Sequence, residues 1–298
     1  MSVTEPVRAD PYAITGDAVR GTFERAFFAE TVPHLLSFSG GGRLLDLGCG
    51  DSMALDLAGD QLDEYVGVDL QRRGPAGTDQ ATWIAHDLRE GLGPVGSEPF
   101  DLYFGGFGIG SHFGPAELAR LLGDIAAHAR PGSVVALEAL GLYSIEWPGL
   151  WSSAPGDCRT LPYRLADEVA VHPWSPDELR CLFADAGIDW LWTADRSVQA
   201  GPKVGESAYW PELPHMREAI NGLLAGDSGC AGILREPLPR LPRHPAAQLH
   251  HRLAQSRYDV LDRLGDADPQ LLAECVWSLE RGSSGGHGHG VIAVGRLP

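Results

Sequence analysis

The architecture of this chain follows from one segment, Leu44-Leu45-Asp46-Leu47-Gly48-Cys49-Gly50-Asp51-Ser52. Its apolar first half, together with Arg43, predicts a short buried strand. Gly48 and Gly50 follow that strand directly, and a helix is predicted at about residues 52–59. Glycine at this point lets the backbone approach a ligand while the next helix presents its amino end. The segment therefore predicts a strand, a glycine turn and a helix around a bound molecule.

Two further apolar strands end in acids, Glu64 to Asp69 and Thr82 to Asp87. Asp69 lies 21 residues after Gly48, a separation at which an acid that ends a second strand can accept hydrogen bonds from both hydroxyls of a ribose. In a parallel sheet the ligand binds beyond the carboxyl ends of the strands. The acidic ends of the first three strands are therefore predicted to lie together.

The rest of the chain continues the alternation of strands with helices. Strands are predicted at residues 100–104, 133–138, 188–193 and 291–297, and helices at residues 16–36, 115–129 and 175–187. The last of these helices begins with Ser175-Pro176-Asp177-Glu178, which has the serine and the third-position acid of a capping box. Strands that alternate with helices predict an α/β fold with a mostly parallel sheet and helices on both faces.

The predicted domain organisation has three parts. Residues 1–200 form the sheet-bearing core with an N-terminal helix, and residues 285–298 supply its last strand. Residues 201–284 interrupt the alternation, since they are proline-rich at first and then helical, with one helix that includes residues 249–264 and a second from Pro269 to Gly282. Because this segment is long for a connection, we expect a helical cap over the ligand edge of the sheet.

Composition excludes several classes of partner. The chain has 298 residues, 44% of them hydrophobic, and 23 Lys and Arg against 40 Asp and Glu give a net charge of -17. Such a field repels nucleic acids and anionic membranes. No apolar stretch reaches the length of a signal peptide or a membrane span, and the five cysteines show no zinc or disulfide spacing. We expect a cytoplasmic protein, and its oligomeric state is not indicated.

The segment from Leu44 to Ser52 resembles motif I of the class I S-adenosylmethionine (SAM)-dependent methyltransferases. Further likenesses are to the strand-two motif, the strand-three motif, motif II and the loop before strand five, at Gly67-Val68-Asp69, Ala85-His86-Asp87-Leu88, Phe100-Asp101-Leu102-Tyr103-Phe104 and Arg130-Pro131-Gly132. The resemblance covers about residues 40–195 and the last strand. It implies a Rossmann-like sheet of seven strands, with the last strand antiparallel between strands five and six.

SAM is the cofactor that the resemblance implies. It assigns Asp69 to the ribose and Asp87 to the adenine amino group. The predicted cofactor-binding residues are Asp46, Gly48, Cys49, Gly50, Asp69, Leu70, Asp87, Leu88, Phe104 and Gly105. A nicotinamide-dependent oxidoreductase is the competing interpretation, but it expects a third glycine where this chain has Met53.

Methyl transfer is an in-line displacement, so it needs positioning of the two reactants and, for a hydroxyl or ammonium acceptor, a base. The candidate bases are His112, His287, His289 and Glu138, each of which also has a structural interpretation. No metal is predicted, because His287 and His289 have no nearby acid or cysteine to complete a site.

The sequence thus predicts a metal-independent SAM-dependent methyltransferase. We expect a small or medium-sized metabolite as acceptor, such as a natural product, with oxygen favoured as the methylated atom. Aromatic residues that could form the wall of its pocket, or ordinary core, are Tyr143, Trp147, Trp151, Tyr163, Trp174, Tyr209 and Trp210. The alternatives are a peptide or protein methyltransferase and a non-catalytic SAM-binding protein.

Overall fold

A computed structural model describes residues 16–71, 81–157, 159–164, 168–265, 267–281 and 285–298. Within these ranges the strands are β1 Arg43–Leu47, β2 Glu64–Asp69, β3 Ala81–Ala85, β4 Leu102–Gly105, β5 Val134–Leu140, β6 Leu161–Arg164, β7 Glu168–Val171, β8 Asp189–Ser197 and β9 Gly290–Arg296. The α-helices are α1 Arg25–Ser39, α2 Met53–Ala58, α3 Pro115–His128, α4 Pro176–Asp185, α5 Met216–Leu224, α6 Pro245–Leu264 and α7 Pro269–Arg281.

Seven of the strands form one sheet in the order β3-β2-β1-β4-β5-β9-β8. Strands β1 to β5 run parallel, and β9 is antiparallel to both of its neighbours, β5 and β8. The chain order reverses between β1 and β4, which is where a ligand binds in open α/β sheets. The predicted fold class is confirmed, including the antiparallel last strand.

Helices cover both faces of the sheet, because the side chains of each strand alternate between them. One face carries Leu45 and Leu47 of β1 and packs against α3 and α4. The other face carries Leu44 and packs against α1 and α2. Burial of one such leucine contributes roughly 1.5–3 kcal/mol. The sheet therefore owes its stability to two separate apolar layers.

The ends of the helices follow from local sequence. The hydroxyl of Ser175 accepts a hydrogen bond from the Glu178 backbone N–H, and the Glu178 carboxylate accepts one from the Ser175 N–H, as the capping box predicts. Asp268 accepts a bond from the N–H of Gln270 at the start of α7. Gly282, predicted as the end of that helix, lies outside the described residues.

A β-hairpin formed by β6 and β7 was not predicted from the sequence. Its first strand shows the alternation of a half-exposed strand, with Leu161 and Tyr163 buried and Pro162 and Arg164 exposed. A proline inside the segment weakened that signal, because proline removes a ladder hydrogen bond. Just after β7, the backbone N–H of His172 donates a hydrogen bond to the carbonyl of Ser111 in the loop after β4. This bond joins the hairpin to that loop.

The helices of residues 201–284 pack against the N-terminal segment. Trp277 of α7 stacks on Phe23 with ring centroids 5.2 Å apart, and both belong to an apolar cluster that includes residues of α5 and α6. Arg217 of α5 is buried and donates hydrogen bonds to the carboxylates of Asp17 and Glu24. The insertion is thus joined to the start of the chain by both apolar and ionic contacts.

No helix of the described residues is long and apolar enough to cross a membrane.

Candidate functional site

A cleft of about 550 Å³ lies at the carboxyl ends of β1, β2 and β4. Its walls come from the glycine turn after β1 and the start of α2, the ends of β2 and β3, the end of β4 with the loop after it, and strand β7 of the hairpin. The N-terminal segment and the start of the insertion each add one residue, Arg20 and Lys203. The cleft therefore occupies the position that the sheet order predicts for a ligand.

The turn after β1 depends on the absence of side chains. Gly48 and Gly50 have φ of +67° and +51°, in the left-handed region. A Cβ atom on Gly48 would lie 2.5 Å from the Cδ1 atom of Ile109, which is closer than real carbon contacts. The N–H groups of Gly48 and Cys49 both donate to the carbonyl of Val68, at 2.8 and 3.1 Å. The turn is thereby tied to β2.

Asp69 ends β2 beside this turn. Its carboxylate accepts hydrogen bonds from the backbone N–H groups of Gly50, at 3.0 Å, and Gln71, at 3.3 Å. The carboxylate lines the cleft and is only partly buried, so it retains acceptor capacity beyond these two bonds. It can therefore accept hydrogen bonds from a ligand's hydroxyl groups.

Asp46 of β1 and Tyr65 of β2 form a buried, hydrogen-bonded pair. The phenol of Tyr65 donates to the Asp46 carboxylate across 2.8 Å. Burial, opposed by the Tyr65 hydrogen bond and assisted by the charges of Asp51 and Asp69, raises the pKa of Asp46 to about 7. The charge of Asp46 consequently changes near neutral pH.

Asp87, just after β3, has a different partner. Its carboxylate accepts hydrogen bonds from both Nε and Nη2 of the Arg89 guanidinium, at 2.7 to 3.1 Å. These hydrogen bonds and the Arg89 charge hold the pKa of Asp87 below its usual value. Asp87 is therefore an ionised acceptor at neutral pH, held at the rim of the cleft by Arg89.

Nine of the ten predicted cofactor-binding residues line the cleft, and Gly105 does not. A Cβ on Gly105 would lie 2.6 Å from the Cγ2 atom of Ile109, so glycine is needed there for packing beneath the loop. Burial raises the pKa of the Cys49 thiol to about 12. The thiol is thus protonated at neutral pH, which agrees with a packing role and not with a nucleophile.

His112 is the one candidate base that lines the cleft. It lies after β4, in the short 3₁₀ turn Ile109–His112. Burial lowers its pKa from the ordinary value, the Arg89 charge lowers it further, and Asp69 acts in the opposite direction. The imidazole is therefore neutral at neutral pH and has a nitrogen that can accept a proton.

The structure gives His289 and His287 other surroundings. His289 is 1% exposed, and its Nε2 lies 2.9 Å from the phenol oxygen of Tyr163. His287 stacks on Tyr143, with ring centroids 5.3 Å apart. Neither histidine lines the cleft, so these contacts support structural roles for both, although β9 begins close to the ligand edge.

Glu138 is completely buried within β5. Its carboxylate accepts hydrogen bonds from Nε of Arg196, at 2.6 Å, and from the backbone N–H of Gly108, at 3.1 Å. It does not line the cleft. An acid held by a guanidinium and a backbone donor is a structural group that fixes the loop after β4.

Several residues of the cleft were not predicted from the sequence. Phe107 adopts φ of +50°, which is uncommon for an aromatic residue, and its ring forms part of the wall. Val169 and Ala170 of the hairpin form another part, and Arg20 and Lys203 add two cations. Among the described residues, helices α5 to α7 contribute nothing to the lining. The cap predicted for the insertion thus reaches the cleft only at Lys203.

Comparisons with known proteins found no matching family model and no similar curated protein. Similar solved structures include the CcbJ methyltransferase from Streptomyces caelestis, 10% identical over 98% of this chain and 100% of that one, with a TM-score of 0.48. Another is a SAM-dependent methyltransferase from Archaeoglobus fulgidus, 14% identical over 94% and 98% of the two chains, with a TM-score of 0.46.

A third similar structure is CalS10, an amino pentose methyltransferase from Micromonospora echinaspora involved in calicheamicin biosynthesis. It is 18% identical over 59% of this chain and 87% of that one, with a TM-score of 0.43. At these identities and TM-scores, the comparisons carry no argument about the ligand or the reaction of this chain.

Proposed function

We propose that the protein binds SAM in this cleft and transfers the methyl group to a small or medium-sized acceptor. The observation that carries the proposal is that Gly48, Gly50 and the acids of the first three strands line one cleft at the reversal of strand order. Among them, Asp69 and Asp87 are predicted from the family resemblance to contact two different parts of SAM, the ribose and the adenine amino group. Their convergence is what a SAM site requires.

The chemistry of these groups fits an adenosyl ligand with a positive charge. Asp69 has acceptor capacity for the ribose hydroxyls, and Asp87 is an ionised acceptor at the end of β3 for an amino group. Asp46 and Asp51 add further carboxylates to the same wall. Carboxylates around a cleft with apolar walls favour a cation inside it, which suits a sulfonium.

Bound SAM would supply an electrophilic methyl group, and the chain's own residues would hold the acceptor in line with it. His112 lines the cleft as a neutral imidazole, so it can accept the proton that an acceptor loses. A hydroxyl or an ammonium acceptor has such a proton, and of the two we propose oxygen as the methylated atom. The histidine is assigned as the general base of this proposal, in place of His287, His289 and Glu138.

A wall of aromatic and aliphatic side chains in the cleft supports a compact acceptor. Phe107 and residues of the β6–β7 hairpin form it, and clefts with aromatic and aliphatic walls bury small organic ligands. We therefore favour a metabolite, such as a natural product, over a peptide or protein side chain as the acceptor.

Calorimetry with SAM, S-adenosylhomocysteine (SAH) and NADH tests the cofactor. We expect SAM and SAH to bind and NADH not to bind; binding of NADH alone would replace the proposal with an oxidoreductase. Radiolabelled methyl transfer to a panel of hydroxylated metabolites, amines and peptides then tests the reaction. Transfer only to peptides would contradict the metabolite acceptor, and SAM binding without transfer to any member would favour a non-catalytic binding protein.

A further inference from the structure

A second, smaller cavity adjoins the cleft at Phe107. Its volume is about 30 Å³, and it shares Phe107, His112 and Lys203 with the lining of the cleft, whereas Leu140 and Tyr163 line this inner cavity alone. One water needs roughly 10–15 Å³ of such space, so the inner cavity has room for one hydroxyl or amino group and the carbon that carries it. It therefore lies within reach of a short substituent of a molecule bound beside His112.

Glu24 brings an unused hydrogen-bond acceptor to the inner cavity. Its side chain lines the cavity, and within the described residues its Oε2 atom is buried without a hydrogen-bond partner. The other oxygen, Oε1, accepts a hydrogen bond from Nη1 of Arg217 at 3.0 Å and pairs with Arg196. Burial acts to raise the pKa of Glu24, but the charges of Arg196 and Arg217 bring it well below the ordinary value. An ionised, buried oxygen without a donor is costly, and a donor group of a ligand removes that cost.

Tyr163, which lines the same cavity, is held by a chain of buried polar groups. Its phenol oxygen lies 2.9 Å from Nε2 of His289. On the other side of that imidazole, Nδ1 lies 3.4 Å from the Ser144 hydroxyl oxygen and 3.4 Å from Oε2 of Glu146. The Ser144 hydroxyl donates its own proton to Glu146. Both neighbours of Nδ1 therefore act as acceptors towards it.

This chain decides what Tyr163 can bind. With two acceptors beside Nδ1, we assign the single N–H of a neutral imidazole to Nδ1, so Nε2 of His289 accepts a hydrogen bond. Burial raises the pKa of the Tyr163 phenol well above its ordinary value, so the phenol keeps its proton and donates it to Nε2. Its oxygen still has capacity to accept a bond. Towards a ligand Tyr163, like Glu24, is therefore an acceptor that requires a donor.

Charge distinguishes a hydroxyl from an ammonium as that donor. Arg196 and Lys203 line the inner cavity together with Glu24, so its lining carries more positive than negative charge. Like charges in a buried site disfavour each other, and an ammonium group is therefore the poorer ligand. A hydroxyl is a neutral donor and also has lone pairs for the cations. The inner cavity thus suits a hydroxyl group.

We propose that Glu24 and Tyr163 bind a second hydroxyl group of the methyl acceptor in the inner cavity. The proposal rests on the proposed function, in which His112 takes the proton of the hydroxyl that is methylated. Because His112 lines both spaces, the two hydroxyls lie close together on the acceptor, as in a catechol, a sugar or another vicinal diol. Tyr163 contacts the acceptor, and His289 is a positioning residue that acts through Tyr163.

Calorimetry on the full chain with excess SAH, at pH 7, compares two matched series of probes. The aromatic series is catechol, its monomethyl ether and phenol, and the aliphatic series is cis-1,2-cyclohexanediol, its monomethyl ether and cyclohexanol. We expect the diol of at least one series to bind roughly tenfold more tightly than both of its relatives, as a hydrogen bond to a charged group gives. The series with the larger preference identifies the acceptor as aromatic or aliphatic.

Variants connect that preference to the named residues. Tyr163→Phe removes the acceptor oxygen and should reduce the preference to about threefold or less. Tyr258→Phe removes a phenol that bonds the Glu236 carbonyl outside both cavities, so it should keep the full preference. Circular dichroism establishes that each variant is folded, and the wild-type series test the proposal without any variant.

The role of His289 is tested by a double-mutant cycle. His289→Gln should reduce the preference as Tyr163→Phe does, and adding it to Tyr163→Phe should reduce the preference no further, because residues that act through one contact are not additive. Independent, additive losses would show that His289 supports the fold and does not position Tyr163.

The proposal is overturned if neither diol binds wild type more tightly than its monohydroxy relative, since the inner cavity then holds water only. It is also overturned if the preference survives in Tyr163→Phe. Tighter binding of 2-aminocyclohexanol, an ammonium at pH 7, than of cis-1,2-cyclohexanediol would overturn the choice of a hydroxyl. Failure of the proposed function gives a different result: SAH then does not bind, while a diol is still preferred and the preference still depends on Tyr163.

Discussion

The backbone N–H of Gly50 donates a hydrogen bond to the carboxylate of Asp69 across 3.0 Å. This bond connects the glycine turn after β1 to the end of β2, the two features that the sequence singled out separately. A single unit therefore presents both a backbone that a ligand can approach and an acid that can accept its hydroxyl groups.

The first prediction concerns Asp69 itself. Asp69→Ala removes the acceptor of the ribose hydroxyls, and hydrogen bonds to a charged group contribute roughly 1.5–3 kcal/mol, so SAM affinity should fall about 10- to 100-fold. Calorimetry measures the change. Asp60→Ala, at an exposed position outside the cleft, serves as the control. Unchanged affinity in a folded Asp69→Ala protein would remove the cofactor assignment.

A second prediction tests Asp87 against the adenine amino group. Wild type should bind the SAH analogue without that amine roughly tenfold more weakly than SAH, because one charged hydrogen bond is lost. Asp87→Ala should bind the two ligands equally. The measurement is the ratio of two dissociation constants in each protein. A ratio in the variant as large as that in wild type would show that another group contacts the amine.

The conformation of Gly48 leads to a third prediction. Gly48→Ala forces a Cβ into the left-handed region and against Ile109, so the free energy of unfolding should fall by about 1–2 kcal/mol. Gly123, in the exposed part of α3, has an open position for a Cβ, so Gly123→Ala should raise it by roughly 0.5–1 kcal/mol. Urea denaturation compares the two. If both variants changed the free energy of unfolding equally and in the same direction, the conformation of Gly48 would not be what requires glycine there.

Asp46 gives a prediction that depends on pH. Its pKa is about 7 in the folded protein against 3.8 unfolded, so the folded state keeps a proton that the unfolded state has lost, and stability falls as pH rises from about 4 to 7. The asparagine of Asp46→Asn does not titrate, so the stability of this variant does not fall for that reason as pH rises. Its unfolding free energy should exceed that of wild type at pH 8, by at most roughly 4 kcal/mol from three pKa units, and the excess should shrink towards pH 4.

Urea titrations of both proteins at pH 4, 6 and 8 measure this excess, with Asp60→Asn as the exposed control. An excess that is the same at all three pH values would show that the Asp46 carboxyl titrates normally. We expect Asp46→Asn to bind SAM more weakly in spite of its greater stability, because a charged acceptor in the cleft is removed.

The fifth prediction assigns proton transfer to His112. His112→Gln should leave SAM affinity within about twofold and lower methyl transfer to a hydroxyl acceptor roughly 10²- to 10⁴-fold, as removal of a general base does. The wild-type rate should fall with decreasing pH only below the ordinary histidine range, because burial lowers this pKa. Single-turnover rates of both proteins across pH 5 to 8 test this. A wild-type rate independent of pH would exclude the histidine as base.

Local sequence determined the sheet and one end of the site. The strands, the glycine turn and the acidic strand ends lie within about 45 residues, and each is specified by residues close to it in the chain, from Leu44 to Asp87. Periodicity places the strands in the sheet, and strand order brings their ends to one edge. For this reason nine of the ten predicted cofactor-binding residues lie in the cleft.

Only the tertiary structure decided which residues lie at the other end of the cleft, near Phe107. Arg20 and Lys203 reach the cleft because Arg217 and Glu24, 193 residues apart, pair in the interior, and no local pattern encodes a contact of that range. The same holds for the histidines. His289 has the sequence surroundings of an exposed glycine tether, yet contacts with Tyr163 and neighbouring chain segments bury it. Side chains that are fixed by packing between distant segments cannot be placed from spacing, because their surroundings exist only after the chain has folded.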